Sequence, residues 1–390
     1  MVRSFQFSKL PLIYFGTGRI NLLSSLMQLY GKRVILVTDK RSFSQLPNIS
    51  DVIDSLGKAA ISQDIVSVEG ESSPGFIDEQ VAALSDKLKD LVVAIGGGSV
   101  LDAGKAVSAM MFKKESVRVY LEGVGTKEHP GTKLPFIAVP TTSGTGSETT
   151  KNAVLSEVGP LGFKKSLRHE NFVPDIALVD PGLTVSCPPF ITSASGMDCF
   201  TQLTEAFLSD KANVYTDALA WEGLKAVKAS LIECYNDGGN IEARTGMSFA
   251  ALTSGICLAN AGLGAVHGFA SSAGGLFNIP HGVLCGTLMG KANEINVREL
   301  RKKGENPAAL KKYASLGKLF IGEGTKNDDF YIDGFIDYIR NLTGLLKLPG
   351  LRKYGIGKND LLKICKITDI KNNPVKLEVE NLYEILYERL

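Results

Sequence analysis

The sequence predicts an α/β N-terminal domain of the dinucleotide-binding kind followed by an all-α C-terminal domain. Three observations carry that prediction. The first 180 residues alternate short runs rich in Val and Ile with stretches of helical periodicity. After about residue 183 the alternation stops and long helical segments take over. One of the apolar runs ends in a glycine turn, GGGS at 96–99, which leads into a helix.

The strand candidates are Val34–Thr38, Ile65–Val68, Leu91–Ile95, Phe136–Val139 and Ile176–Val179. Several are apolar throughout, as strands covered on both faces of a parallel sheet should be. Helical patterns at Phe76–Lys89 and Val100–Met111 fall between them. Pro188–Pro189 then punctuates the chain. Beyond it, Asp198–Ser209, Tyr215–Tyr235, Ala243–Ala259 and Pro307–Phe320 follow helical periodicity, and no further strand is expected. Gly286–Lys303 turns polar and charged toward its end and reads as a solvated connection. The expected division is residues 1–183 for the α/β domain and 184–390 for the helical one.

Composition narrows the function. Lys plus Arg total 43 and Asp plus Glu 41, a formal charge of +2, so no basic stripe marks a nucleic-acid partner. The six cysteines, at 187, 199, 234, 257, 285 and 365, form no two-residue-spaced pair. They read as isolated small apolar residues in a reducing compartment. The N-terminus lacks an apolar stretch of signal-peptide length, and no run approaches membrane-spanning length. A cytoplasmic protein without membrane contact is expected.

Two loops suit a nucleotide. In LVVAIGGGSVLDAGKAV, residues 91–107, a buried strand ends at Ile95 and a helix follows the glycines. Glycines permit close approach of a ligand, and a helix start offers free N–H groups and a positive dipole end. A tight turn with Ser99 as N-cap fits the same residues. PTTSGTGSE, 140–148, follows another strand with five hydroxyls and two glycines, suited to phosphate or ribose and equally to a polar loop. Two such loops behind one sheet strengthen the ligand reading, because open α/β sheets bind ligands beyond the strand carboxyl ends. Asp39 ends RVILVTD, where a carboxylate can accept from the adenine ribose of NAD and repel the extra phosphate of NADP, or can cap the next turn.

Histidine is scarce: His129, His169, His267 and His281 are all there are. His267 and His281 lie 14 apart in a glycine-dense stretch. Upstream, Asp198 is read as opening a helix, with Gln202 one turn on and Glu205 nearly on the same stripe. Asp, Gln and two His could converge on one divalent ion. By spacing alone they could as well be structural.

Taken together these motifs resemble the iron-containing, or group III, alcohol dehydrogenases. The shared segments are FGTG (15–18), VTDK (37–40), GGGSVLDAGK (96–105), PTTSGTGSE (140–148), ALVDP (177–181), GMDCFTQLTEAF (196–207), VHGF (266–269), IPHG (279–282) and NNPVKL (372–377). The resemblance runs nearly the whole chain and implies a dehydroquinate synthase-like fold with the active site between the two domains. It implies nucleotide contacts for Asp39, Gly97, Gly98, Ser99, Thr141, Thr142, Thr145, Asn152 and Lys164, with Lys165 an adjacent candidate. It carries the metal aspartate to Asp198 and the metal histidines to His267 and His281.

The chain departs from the family at two positions. Where a histidine commonly follows the metal aspartate by four residues stands Gln202, and where a second often follows the first downstream histidine stands Ser271. Asp198, His267 and His281 still make a two-histidine, one-carboxylate set, adequate for Fe(II) or Zn(II) with Gln202 as a weak further ligand. A proton relay would run through metal-bound water, Ser271, Ser272 or the cofactor ribose. The implied activity is hydride transfer between NAD, rather than NADP, and a small alcohol or its aldehyde or ketone, in a homodimer or larger homo-oligomer. Two other readings are a metal-independent reductase resembling maleylacetate reductases and a non-catalytic dinucleotide-binding protein.

Overall fold

The structure, a computed structural model, describes residues 4–40, 43–47 and 49–390. Its first half contains β1 (Leu12–Phe15), α1 (Leu23–Gln28), β2 (Arg33–Asp39), α2 (Ile49–Lys58), β3 (Ser62–Val68), α3 (Pro74–Leu84), β4 (Leu91–Gly96), α4 (Gly98–Met110) and β5 (Phe136–Pro140). Then follow β6 (Asn152–Glu157), β7 (Phe163–Arg168) and β8 (Ile176–Val179). Six strands form one sheet in the order β1-β8-β5-β4-β2-β3, and every pair in it is parallel.

Side-chain alternation explains why the central strands are apolar at every position. Val34 and Leu36 of β2 point into a cluster with Leu91, Val93, Ile137 and Val139, beside α1 and α2. Ile35 and Val37 point the other way, into a cluster with Val92, Ala94, Phe136 and Ala138 that α3 and α4 cover. The chain winds from β2 out to β3 and returns to β4 on the other side of β2. The sheet therefore reverses direction between β2 and β4, the place where doubly wound sheets open a ligand crevice.

One strand and a hairpin escape the search for apolar runs. β1 is a four-residue edge strand just after Pro11. β6 and β7 form a separate antiparallel pair, with Asn152 opposite Arg168 and Ser156 opposite Lys164. They mix buried with exposed and half-buried positions, FKKSLR in β7 carrying three cations, so they are not apolar throughout.

The rest is helical: α5 (Pro189–Leu208), α6 (Val214–Asn236), α7 (Ile241–Ala261), α8 (Ala265–Leu276), α9 (His281–Lys303), α10 (Pro307–Ile321), α11 (Asp328–Leu345), α12 (Lys358–Ile367) and α13 (Val379–Glu388). Two expectations need correction. Pro188–Pro189 does not separate a loop from a helix opened by Asp198. Pro189 sits at the first position of α5, where its missing N–H costs nothing, and Asp198 lies mid-helix. Gly286–Lys303 is no solvated connection: it belongs to α9, which buries Leu288, Met289 and Ile295. Its charged end is Arg301, Lys302 and Lys303 in the last turn, where cations complement the helix dipole, and Gly304 at φ 65° stops it.

The helical core is one cluster, built around Phe200, Leu203, Phe269, Leu288 and Phe335. Among the described residues no single helix is long and apolar enough to cross a membrane; the bent pair α7 and α8 meets that test only jointly.

A tight backbone contact joins the two halves. The loop after β5 lies against α7: a Cβ on Gly255 would stand 2.1 Å from the carbonyl oxygen of Gly146. Ser143 and Ser248 share a hydrogen bond of 3.2 Å, and Thr149 donates to Leu252 O at 3.3 Å.

His129 and His169, which sequence left without a role, are structural. His129 is buried between the rings of Tyr120 and Phe172, and its Nδ1 accepts from Gly131 N–H at 3.0 Å. His169 caps the short helical turn that follows it.

Candidate metal centre and cofactor cleft

α5, α8 and α9 each bring ligands to one buried point. Asp198 is 1% exposed and His267 4%, so neither carries its charge or lone pair into water. His267 Nε2 lies 3.3 Å from Asp198 Oδ1, and His281 Nε2 lies 3.5 Å from the same oxygen. Although near both rings, that oxygen receives no hydrogen bond of acceptable geometry. An ionised oxygen left so costs several kcal/mol unless a cation satisfies it, by the order of such penalties. Gln202 Oε1 and His281 Nδ1 are likewise buried without a partner. This donor set fits a divalent ion.

Glu205 decides which nitrogen of His267 is offered. Its Oε2 lies 2.7 Å from His267 Nδ1, and its Oε1 accepts from Val266 N–H at 2.7 Å, at the first turn of α8. Burial alone would raise the Glu205 pKa, but the His267 ring and these donors bring it below its ordinary value. A carboxylate only accepts, so Nδ1 carries a proton and Nε2 is the nitrogen that faces Asp198. Such an outer carboxylate typically orients a ligating histidine. The position was visible as the same stripe of α5; its role was not, because sequence does not show where α8 crosses α5.

Asp198 behaves in the same way: burial pushes its pKa up, and the two histidines more than reverse this. Burial pushes His281 down to about 4, leaving the ring neutral and able to ligate. Asn373, in the NNPVKL segment, accepts from Ala265 N–H at 3.3 Å and pairs with Asn296. Lys371 donates to the His267 carbonyl at 3.1 Å. The C-terminal motif thus braces the start of α8 against the metal point.

The two departures from the family pattern have plain placements. Gln202 Nε2 donates to Thr145 O at 3.3 Å, tying α5 to the loop after β5. Ser271 Oγ donates to the His267 carbonyl at 3.1 Å, one turn back in α8, and Ser272 Oγ shares 2.7 Å with Thr368 Oγ1.

One reading of the cysteines is corrected. All six are free, but Cys285 is not an isolated apolar filler. It lies one turn beyond His281, with Sγ 3.7 Å from His267 Nε2 and 3.9 Å from His281 Nε2. Asp198, His267, His281 and Cys285 each offer an atom within 4.8 Å of the others.

The nucleotide candidates gather at the switch point. Asp39 ends β2, Gly97 follows β4, and Thr141 follows β5, on adjacent strands. α4 begins at Gly98 with Gly97 as N-cap and no side-chain cap, so Ser99 lies inside the helix rather than capping it. A Cβ on Gly98 would meet Thr145 Oγ1 at 2.7 Å, and one on Gly97 would come within 3.4 Å of Thr142. These two glycines keep open a cradle bounded by the threonines. Asn152 begins β6. Lys164, buried, is ion-paired with Glu71, while Lys165 is exposed. Ser147 is spent on structure: its hydroxyl donates to Asp102 Oδ1 at 2.5 Å.

Replacing Glu205 with Gln should free the His267 ring to adopt either tautomer. Metal affinity should fall about 10- to 100-fold, as for other outer-sphere losses, and titration with a competing chelator would measure it. Unchanged affinity would show that Glu205 does not set the ring.

The comparisons with known proteins agree over both halves. The model of the iron-containing alcohol dehydrogenases matches residues 11–181, and the C-terminal model of the Fe-containing alcohol dehydrogenase family matches residues 192–390. The NADPH-dependent butanol dehydrogenase of Clostridium saccharobutylicum is 29% identical over 96% of both chains. Long-chain-alcohol dehydrogenase 1 of Geobacillus thermodenitrificans is 34% identical over 70% of this chain and 68% of its own. A solved 1,3-propanediol oxidoreductase superposes with a TM-score of 0.88 over 100% of both chains, at 28% identity.

Proposed function

The chain belongs to the iron-containing alcohol dehydrogenase family, and from that premise we propose how its residues divide the work of an alcohol–aldehyde oxidoreductase. Asp198, His267 and His281 hold a divalent ion, Fe(II) or Zn(II), with Gln202 beside them. The observation that carries this is the buried, unbonded Asp198 Oδ1 within 3.3 and 3.5 Å of two imidazole nitrogens. When bound, the ion polarises the substrate oxygen and the nicotinamide accepts or supplies hydride.

The protein's own groups do the rest. Glu205 holds a proton on His267 Nδ1. Gln202 links the metal point to the threonine loop through Thr145, so the two sites keep a set distance. The free N–H groups at the start of α4, with Gly97, Gly98 and Ser99, are placed for a pyrophosphate. Thr141, Thr142 and Thr145 border the same cradle, with Asn152 and Lys164 on the β6–β7 hairpin beyond. The Ser271 hydroxyl, already donating to the His267 carbonyl, is the protein group we assign to proton exchange near the substrate.

The butanol relative is named for NADPH, so family membership leaves the nucleotide to local residues. Asp39 at the end of β2 favours NAD, because a carboxylate there repels a ribose phosphate. Small alcohols and their aldehydes or ketones are the substrate class. A homodimer or larger assembly and a cytoplasmic location complete the proposal. Residues 1–183 form the nucleotide half and 184–390 the metal and substrate half.

The deciding experiment is a panel of short alcohols, diols and aldehydes with NAD(H) and NADP(H), after reconstitution with Fe(II) or Zn(II). Metal-dependent turnover with NAD preferred is expected. Full turnover after chelation would instead support the metal-independent reductase. Nucleotide binding without any turnover would support the non-catalytic reading.

A further inference from the structure

We infer that Cys285 is a fourth protein ligand of the ion, making an Asp–His–His–Cys centre that prefers zinc to iron. This rests on the metal reading above. It changes what the site is, from a three-ligand set with a weak amide to one with a thiolate, at which the substrate oxygen would enter as a fifth ligand.

Geometry is the first support. Metal–nitrogen and metal–oxygen bonds of about 2.0–2.1 Å and a metal–sulfur bond of about 2.3 Å set the edges of a tetrahedron. Those edges come to about 3.3 Å between N or O atoms and about 3.6 Å between N and S atoms. The oxygen–nitrogen separations here are 3.3 and 3.5 Å. The sulfur–nitrogen separations are 3.7 and 3.9 Å. Four side chains from three helices thus bring four of the six separations of one coordination tetrahedron close to these lengths, and all six lie within 4.8 Å.

Local structure is the second. α9 begins at His281, and Cys285 follows one turn later on the same face. Whatever aims the imidazole at Asp198 aims the sulfur there too. The third is charge. Asp198 is 1% exposed and Cys285 fully buried. A carboxylate and a thiolate cancel a dication, so the centre carries no net charge into a dry interior. On uptake the thiol proton leaves to solvent as the sulfur–metal bond forms. The fourth is the neighbour: Gln202 Nε2 is held by Thr145 O, which fixes the amide against the loop, and the sulfur is the softer of the two donors. Soft thiolate with imidazole selects zinc over Fe(II).

Cobalt(II) reports the sulfur directly. Cobalt-loaded protein should show the intense near-ultraviolet band of thiolate-to-cobalt charge transfer and the visible bands of tetrahedral cobalt. Cys285→Ser should keep a cobalt ion and lose the ultraviolet band, and its zinc affinity should fall at least about 10-fold. Cys199→Ser, a buried cysteine outside the set, should leave the spectrum unchanged. X-ray absorption on unmutated zinc protein should show one sulfur at about 2.3 Å, so the test does not depend on a variant folding. Cobalt bound without the band, or a band that survives Cys285→Ser, overturns Cys285 as ligand and leaves the three-residue site standing. Unmutated protein that takes up neither cobalt nor zinc overturns the metal reading and this inference together.

Discussion

Replacing Asp198 with Ala is expected to remove metal and turnover together while the protein stays folded. Asp198 is the carboxylate that approaches both histidines, at 3.3 and 3.5 Å. Without it, the two imidazoles lose the oxygen they share and a dication loses the carboxylate's charge. Loss of the ion's Lewis-acid contribution, several kcal/mol, corresponds to about a 1000-fold fall in kcat/KM or more. The fold should survive, because the variant removes a buried charge that lacks a hydrogen bond at Oδ1 rather than a well-satisfied group. Metal content by mass spectrometry, kcat/KM and an unfolding curve would be measured on one preparation. Retained metal with full turnover would remove Asp198 from the site.

Lys105→Met is expected to act oppositely, on stability and nucleotide binding with the metal left in place. Lys105 is 1% exposed at mid-length of α4. Its Nζ is surrounded by Ser147 O at 2.9 Å, Ser147 Oγ at 3.1 Å, Thr150 Oγ1 at 3.0 Å and Asn152 O at 2.8 Å. Asp102 Oδ1 is 3.9 Å away. Burial pushes the lysine pKa down to about 8 and raises that of Asp102, so each charge depends on its surroundings. Removing one member of such a buried pair costs about 3–5 kcal/mol. The acceptors it leaves belong to the loop after β5, which carries Thr141, Thr142 and Thr145. The unfolding free energy from denaturant curves should fall by that amount and KM for the nucleotide should rise. Zinc or iron content should match the unmutated protein. A stability loss under about 1 kcal/mol, the worth of one ordinary hydrogen bond, would show that Lys105 does not hold the loop.

Much of the fold was legible because buried parallel strands have a simple signature. β2, β4, β5 and β8 are apolar at nearly every position, since helices cover both faces, and each was found within a residue or so of its ends. β6 and β7 hide because part of the hairpin is wet and FKKSLR mixes charged residues with the buried Leu167. The start of α5 was misplaced because a proline pair ends one element and begins another with equal ease. The charged end of α9 was misplaced because a basic last turn looks like a loop until the apolar face beneath it is seen.

The sequence by itself determined the class of protein and the local patterns at its candidate sites: the glycine turn after β4, the hydroxyl loop after β5, and one aspartate and two histidines that the family resemblance brings together. These are local patterns or ordered motifs, so they survive without coordinates. The crossing of α5, α8 and α9 decided which atoms meet. It turned Glu205 from a residue on the metal stripe into the group that orients His267. It took Cys285 out of the list of apolar fillers and put its sulfur beside two imidazoles. Residues 60 to 90 positions apart in the chain, as Asp198 is from His267 and Cys285, come within 4.8 Å only through helix packing. Spacing along a helix names the face a side chain shares, and only tertiary structure says what that face touches.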